Sequence, residues 1–305
     1  MKTLREKSKL TFLVALAVLG MVLNSSIIFA GENVLHKKNY NVKMGEKFLA
    51  QMSSADIVVS SWDKEEVSIV VEGKEKINNH FKFIFGYENG VVSVKTEKKS
   101  DFSLFSFSNG FKIIVKVPSK FVLNLKTSGG DISVKNVEGE KEISTSGGDI
   151  VVENSNGELN AHTSGGDIAV NKYSGKSVLN TSGGDIVVTA HKNELEAKTS
   201  GGDIQIDATE GKILAETSGG DIILNYNGQN SGIQLGTSGG DISIVLSSNF
   251  AADVLLKTSG GRINNNFKNS KMSELSKSKF EGKFNNGGAS LTAKTSGGSI
   301  SVEQK

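Results

Sequence analysis

The sequence predicts an all-β protein: a β-solenoid, β-helix-like, of about nine stacked two-strand coils of ~18 residues, with an irregular N-terminal β cap. Three observations predict it. First, the hexapeptide T-S-G-G-D-I, with small variations, starts at Thr127, Thr145, Thr163, Thr181, Thr199, Thr217, Thr237, Thr258 and Thr295, at five intervals of 18 residues and then of 20, 21 and 37. Second, side chains alternate around it. Two residues before Thr stand only apolar residues, such as Leu125, Ile143 and Leu179; one residue before stand Lys126, Ser144, Asn180 and other residues that are not large and apolar. Ile follows the turn in all nine copies, and an aliphatic residue two further on in eight, with Asn265 the exception. Period two is the mark of a half-buried strand. Third, 35 Gly, one Pro and no Cys point to many tight turns and no disulfides. Two helices do not fit into 18 residues that contain a Gly-Gly turn; two short strands do.

The elements follow in chain order. Lys2, Arg5, Lys7 and Lys9 precede an apolar run from Leu10 to Leu23 and a small residue, Ala30. This is the layout of a signal peptide over residues 1–30. An uncleaved anchor is the alternative, but the run is shorter than the ~20 residues of a membrane span. No Cys follows for lipid attachment. Four of the 35 Lys and Arg and one of the 33 Asp and Glu precede Gly31, which leaves 31 against 32 in the mature chain. That balance gives no reason to expect nucleic acid or an anionic membrane as a partner.

Residues 31–120 are less regular and read as β coils capping the N-terminal end, with "MSSADIV" (52–58) a worn copy of the motif. An open solenoid end invites aggregation and needs a cover. Phe102, Phe105, Phe107 and Phe111 stand in a loop, "SDFSLFSFSNGF", read either as folded over the solenoid or as an apolar contact tip.

Residues 121–305 form the repeat solenoid. Stacking copies at roughly 4.8 Å aligns the apolar rows into two facing sheets. The Gly pair is expected to supply positive φ at the reversal. Thr falls on the inward side, where its hydroxyl bonds a turn amide or the next Thr. An insertion over 264–290, rich in Lys, Asn and Ser, reads as a surface loop with a short helix around 273–278.

Seven copies carry an acid: Asp131, Asp149, Asp167, Asp185, Asp203, Asp221 and Asp241. Stacked, they repel by about 1 kcal/mol per neighbour even at water-like dielectric. Three things offset such a ladder: hydrogen bonds from each Asp's own turn, calcium ions, or a basic partner. The first is the expected one. Calcium is the weaker reading, because calcium-binding β-roll repeats use nine-residue units with a second G-x-D. Arg262 replaces the acid in the eighth copy and is expected beside Asp241.

The residues after Ile (Ser133, Val151, Ala169, Val187, Gln205, Ile223 and Ser243) form an outward stripe. Val151, Val187 and Ile223 make its apolar part a candidate contact surface, against the plainer reading of half-apolar surface.

His36, His80, His162 and His191 lack metal spacing, and the motif Ser lacks a G-x-S-x-G context. No cofactor is expected. Polysaccharide-cleaving β-helices use mixed acidic and basic clusters, whereas this mature chain has one Arg. Ice binding needs an outward T-x-T array, which does not recur.

The S-G-G-D-I turns, with "DIVVSSWDKEEVSIVVEG" (56–73), "FKIIVKVPSKFVLNLKTSGGDI" (111–132) and "LTAKTSGGSISV" (291–302), resemble a bacterial "putative adhesin" family of unknown function. The resemblance covers roughly residues 32–305 and implies an exported or membrane-linked β-solenoid. The expected function is a non-enzymatic structural or adhesive module of the cell envelope, exported to the surface, periplasm or medium. Its partner would be an unknown protein or glycan, and no membrane span is expected after signal removal. The alternative class is an envelope sensing or regulatory module; a polysaccharide-acting enzyme is more remote.

Overall fold

Each motif copy contributes one strand to each of two parallel sheets, and the stack of these coils makes up the protein. The computed structural model describes residues 33–99 and 110–305. The expected signal segment and Phe102, Phe105 and Phe107 lie outside the described residues, while Phe111, expected in the same loop, opens a strand and is 2 % exposed.

The chain opens with β1 (Asn33–Asn41), β2 (Lys47–Gln51), β3 (Ala55–Trp62) and β4 (Glu66–Gly73), a single helical turn α1 (Ile77–His80), then β5 (Phe81–Glu88), β6 (Val91–Lys98) and β7 (Phe111–Pro118). The regular coils follow: β8 (Val122–Lys126) with β9 (Ile132–Lys135), β10 (Lys141–Ser144) with β11 (Ile150–Asn156), β12 (Leu159–His162) with β13 (Ile168–Ser174), and β14 (Ser177–Asn180) with β15 (Ile186–Lys192). Next come β16 (Leu195–Lys198), the long β17 (Ile204–Glu216), which serves both sheets in turn, β18 (Ile222–Tyr226), β19 (Asn230–Thr237) and β20 (Ile242–Leu246). The chain ends with β21 (Ala252–Thr258), β22 (Ile263–Asn265), β23 (Ser270–Leu275), β24 (Lys279–Phe284), β25 (Ser290–Thr295) and β26 (Ile300–Gln304).

Register follows the repeat. Ile143 aligns with Leu125 and Ala161, and Ile150 with Ile132 and Ile168. The inward rows are sealed: Ile132, Ile150, Ile168, Ile186, Ile204, Ile222, Ile242 and Ile300 are all 0 % exposed. Each such residue contributes roughly 1.5–3 kcal/mol of burial, which neither strand obtains alone.

Order in space departs from order in sequence at both ends. The worn copy in β2 and β3 stacks directly on β8 and β9, and β6 and β7 stack outside it. Antiparallel β4 lies on β7 and antiparallel β5 on β6, closing that end. At the other end β25 and β26 stack on β19 and β20, and β21 and β22 lie outside them. Antiparallel β24 then covers β21, and β23 pairs with β24.

Residues 270–284, expected as a loop with a short helix around 273–278, are therefore a hairpin. Phe267, Phe280 and Phe284 are at most 2 % exposed, and the Phe267 and Phe284 rings stack at 4.3 Å. These rings supply the apolar cover that an end coil lacks a neighbour to provide. Asn265, the single polar residue of its inward row, belongs to this outermost coil and is only half-buried.

The motif glycines do not adopt positive φ. Left-handed backbone sits instead at the opposite corner, at Asn136, Asn154, Lys172 and Ala190, with Gly139, Gly157 and Gly175 three residues on in the first three. The second motif Gly is needed for close approach. A Cβ at Gly148, Gly166 or Gly184 would drive into the carbonyl of Gly130, Gly148 or Gly166 in the coil below. The need for Gly comes from the neighbouring coil, not from the turn's own dihedrals.

Candidate functional site

Each of the nine motif copies turns at its S-G-G corner, seven of them followed by Asp, and the corners stack into one edge. The motif Ser is exposed in all nine copies. Thr behind it is buried, at 7 % exposure or less. Thr163 shows its work: Oγ1 donates to the Gly148 carbonyl of the preceding coil at 2.9 Å and accepts from the N–H of Gly166 in its own turn at 3.3 Å. The same pair of bonds recurs at Thr145, Thr181, Thr199, Thr217, Thr237, Thr258 and Thr295. The turn amide is thus a partner as the sequence suggested, but the stack-wise partner is a glycine carbonyl rather than the next Thr.

The Asp ladder is also built between coils. The N–H of Asp149 donates to Oδ1 of Asp131 at 2.8 Å, and the same bond links Asp149 to Asp167, Asp167 to Asp185, Asp185 to Asp203, Asp203 to Asp221 and Asp221 to Asp241, at 2.7–2.8 Å. The expected bond from each Asp's own turn is replaced by one from the next coil. A charge-assisted N–H···O bond offsets the repulsion between neighbours. Asp56 extends the row to eight, accepting from the N–H of Asp131 at 3.1 Å. Burial raises the carboxyls of Asp131 and Asp167 above the usual range, the neighbouring N–H of Asp149 or Asp185 pulls them down, and adjacent carboxylates push them up again.

Arg262 does not stand beside Asp241. Ser299 does, its N–H donating to Asp241 Oδ1 at 2.8 Å, and the N–H of Arg262 donates to Ser299 Oγ at 3.2 Å one coil further out. At the other end Lys112 is in register with Asp56. The acidic row thus ends in a cationic residue's coil on both sides. Among the described residues no group of three or more His, Asp or Glu side chains is arranged to hold a metal ion.

On the outward stripe Val151 is 4 % and Ala169 7 % exposed. Val151, in register between Ser133 and Ala169, is therefore corrected from contact residue to covered one. Val187 and Ile223 are half-buried.

A second group was missed from sequence. The row four residues before each motif Thr is aliphatic except at Lys141 and Ser177. Both are buried, at 1 % and 0 % exposure, beside Tyr173 and His191, at 1 % and 0 %. Lys141 Nζ donates to the carbonyls of Gly139 and Asn156 at 2.7 and 2.8 Å and lies 5.5 Å from the Tyr173 ring centre. Tyr173 Oη donates to the Gly157 carbonyl at 3.2 Å, and its ring is nearly parallel to that of His191. His191 Nε2 lies 3.0 Å from Ser177 Oγ, while Nδ1 is buried without a partner. Burial holds the Lys141 ammonium down to about 8 and the His191 imidazole down to about 4. A Ser–His pair at full burial has no surface on which to receive a substrate. The two polar breaks in an aliphatic row were the available signal. His162, by contrast, is exposed on an outward face.

A family model described as Toastrack DUF4097 matches residues 48–303. Among solved structures, the chain is similar to one described as a putative adhesin from Bacteroides fragilis, at 13 % identity and TM-score 0.45, covering 88 % of this chain and 96 % of that one. It is also similar to one described as a putative lipid binding protein from Parabacteroides distasonis, at 15 % identity and TM-score 0.35, over 88 % of this chain and 96 % of that one. A third is described as a putative adhesin from Parabacteroides merdae, at 15 % identity and TM-score 0.40, over 88 % of this chain and 95 % of that one. No curated protein matches the chain.

Proposed function

The chain belongs to the Toastrack DUF4097 family, and from that premise we propose that it is an exported, non-enzymatic binding module of the cell envelope. The observation that carries this reading is the corner edge: nine exposed Ser hydroxyls and a half-exposed row of Asp, repeated rung by rung at strand spacing on a backbone locked between coils. Such an edge favours a partner that is itself repetitive, a surface glycan or protein, through many weak contacts in fixed register. Burial of Lys141, Tyr173, Ser177 and His191 supports binding rather than catalysis by this cluster, because these four side chains face the interior. Basic residues followed by an apolar run at the N-terminus support export. No helix among the described residues is long and apolar enough to cross a membrane.

The test has two arms. Fractionation of cells producing the full chain should place it outside the cytoplasm. The mature chain should bind intact cells or isolated envelope polysaccharide, and a variant with Ser164, Ser182 and Ser200 each changed to Lys should lose binding while keeping its melting temperature. Binding unchanged in that variant would remove the corner edge from the proposal; a cytoplasmic location would end it.

A further inference from the structure

The C-terminal coil is an insert. β25 and β26 are the last strands in sequence, yet they lie inside the stack, between β19/β20 and β21/β22. Leu291 and Ala293 align with Ile233 and Leu235 on one side and with Val254 and Leu256 on the other. Leu291, Ala293, Ile300 and Val302 are all 0 % exposed. The coils on either side form a slot, and its recognition groups are those that every rung carries. Its inner wall offers the Gly240 carbonyl to Thr295 Oγ1 at 2.8 Å and Asp241 Oδ1 to the N–H of Ser299 at 2.8 Å. Its outer wall offers Thr258 Oγ1 to the Gly298 carbonyl at 2.6 Å and the N–H of Arg262 to Ser299 Oγ at 3.2 Å.

Nothing in these contacts depends on which chain supplies the insert. The two walls also complement each other: Thr258 carries the hydroxyl, and Gly240 the carbonyl, that pair between neighbouring coils throughout the stack. A vacated slot can therefore close in register rather than expose two open edges. The connection to the insert is short, with two glycines between ends tied by side-chain amides: Asn285 Nδ2 donates to the Ser248 and Phe250 carbonyls, and Asn230 Nδ2 to the Ala289 carbonyl. Residues 285–289 read N-N-G-G-A, and Asn285, Gly287 and Gly288 have φ of 49°, 77° and 141°. This hinge borders an open cleft of about 390 Å³ lined by Gly228, Asn230, Phe250, Ala251, Gly287 and Gly288.

We propose that residues 290–304 exchange between copies of this chain, the C-terminal coil of one molecule occupying the slot of a second and the reverse, to give a swapped dimer. The contacts of the inserted coil are the same in both states. Their energies cancel, so concentration and the closure entropy of the short hinge decide between them.

The chain has no Cys, which makes the test direct. Gln234 and Thr292 are register partners on neighbouring strands, neither of them buried. Full-length single variants Gln234→Cys and Thr292→Cys are mixed, warmed to just below the melting temperature, cooled and oxidised. The mixed disulfide dimer is expected in about tenfold excess over the dimer of either variant with itself, reflecting the effective concentration inside a swapped pair. A mixed dimer no more abundant than the two self-dimers would overturn the proposal. The second measurement needs no labelling across chains. Light scattering of the unmodified protein after warming at rising concentration should approach twice the monomer mass, whereas the double variant Q234C/T292C, oxidised beforehand, should stay monomeric. A monomer at every concentration in the unmodified protein would overturn the proposal as well.

Discussion

The backbone N–H of Asp185 donates to Oδ1 of Asp167 across 2.8 Å, so the carboxylate of one coil is the hydrogen-bond acceptor for the next. The ladder is a series of acceptors in which charge strengthens each bond and at the same time repels the neighbouring carboxylates. Asn retains an acceptor oxygen and drops the charge. Asp167→Asn is therefore expected to leave stability at pH 7 unchanged or slightly higher, because burial and the flanking carboxylates already raise the Asp167 carboxyl. Asp167→Ala, which orphans the Asp185 N–H, should cost about 1–2 kcal/mol in denaturant unfolding. Chelator should leave the midpoint of the unmodified protein in place. A reversible loss of stability in chelator would instead assign the ladder to a cation.

The two glycines of one corner should answer differently to the same change. In Gly184→Ala the new methyl meets the Gly166 carbonyl, which the backbone ladder holds in place, and about 3 kcal/mol should be lost. In Gly183→Ala the nearest atom is the Gly165 carbonyl oxygen at 3.6 Å and the site is exposed. That variant should be neutral or stabilised by up to about 1 kcal/mol, through the unfolded chain. Thermal unfolding of the pair measures both; equal losses would refute the close-approach account.

His191 makes the solenoid acid-sensitive. Its folded value, about 4, lies below the ordinary imidazole value of 6.5, so the unfolded chain takes up the proton first. Stability should fall as pH drops from 6.5 to 4, by on the order of 3 kcal/mol in all, and level off below. The groups around it offer no relief: Tyr173 stacks on the ring, Ser177 already occupies Nε2, and the Lys141 ammonium lies over the far Tyr173 ring. His191→Phe should flatten this part of the pH profile measured by urea unfolding. An unchanged slope would move the acid response to other groups.

Lys141 acts at the alkaline end. Its folded value is about 8 and the ordinary lysine value 10.5, so between these the unfolded chain binds more protons and stability should rise with pH. Lys141→Leu restores the residue type found in register at Leu123 and Leu159. The variant should lose that rise and gain about 1 kcal/mol at pH 7. The Asn156 carbonyl keeps a partner, the N–H of Gly139 at 3.1 Å, while the Gly139 carbonyl gives up its bond from Lys141. Unfolding at pH 7, 9 and 10 decides; a destabilised variant with the same slope would make the lysine a needed hydrogen-bond donor.

The sequence by itself determined the coil. A period of 18 residues and strict alternation of apolar side chains settle two strands, two corners and the inward faces, because both signals are local and repeat. They also placed Thr inside and identified Met52–Val58 as a coil of the same kind. Tertiary structure decided whatever depends on which coil lies above which. Every rung carries the same carbonyls, amides and Thr hydroxyls on its two edges, so the local pattern does not rank one neighbour over another. The insertion of β25/β26 inside β21/β22, the displacement of Arg262 from Asp241, the Asp-to-Asp bonds and the demand for Gly at Gly184 are all properties of the space between coils. They are settled by which short connection reaches which slot, and by the apolar hairpins that close the two ends.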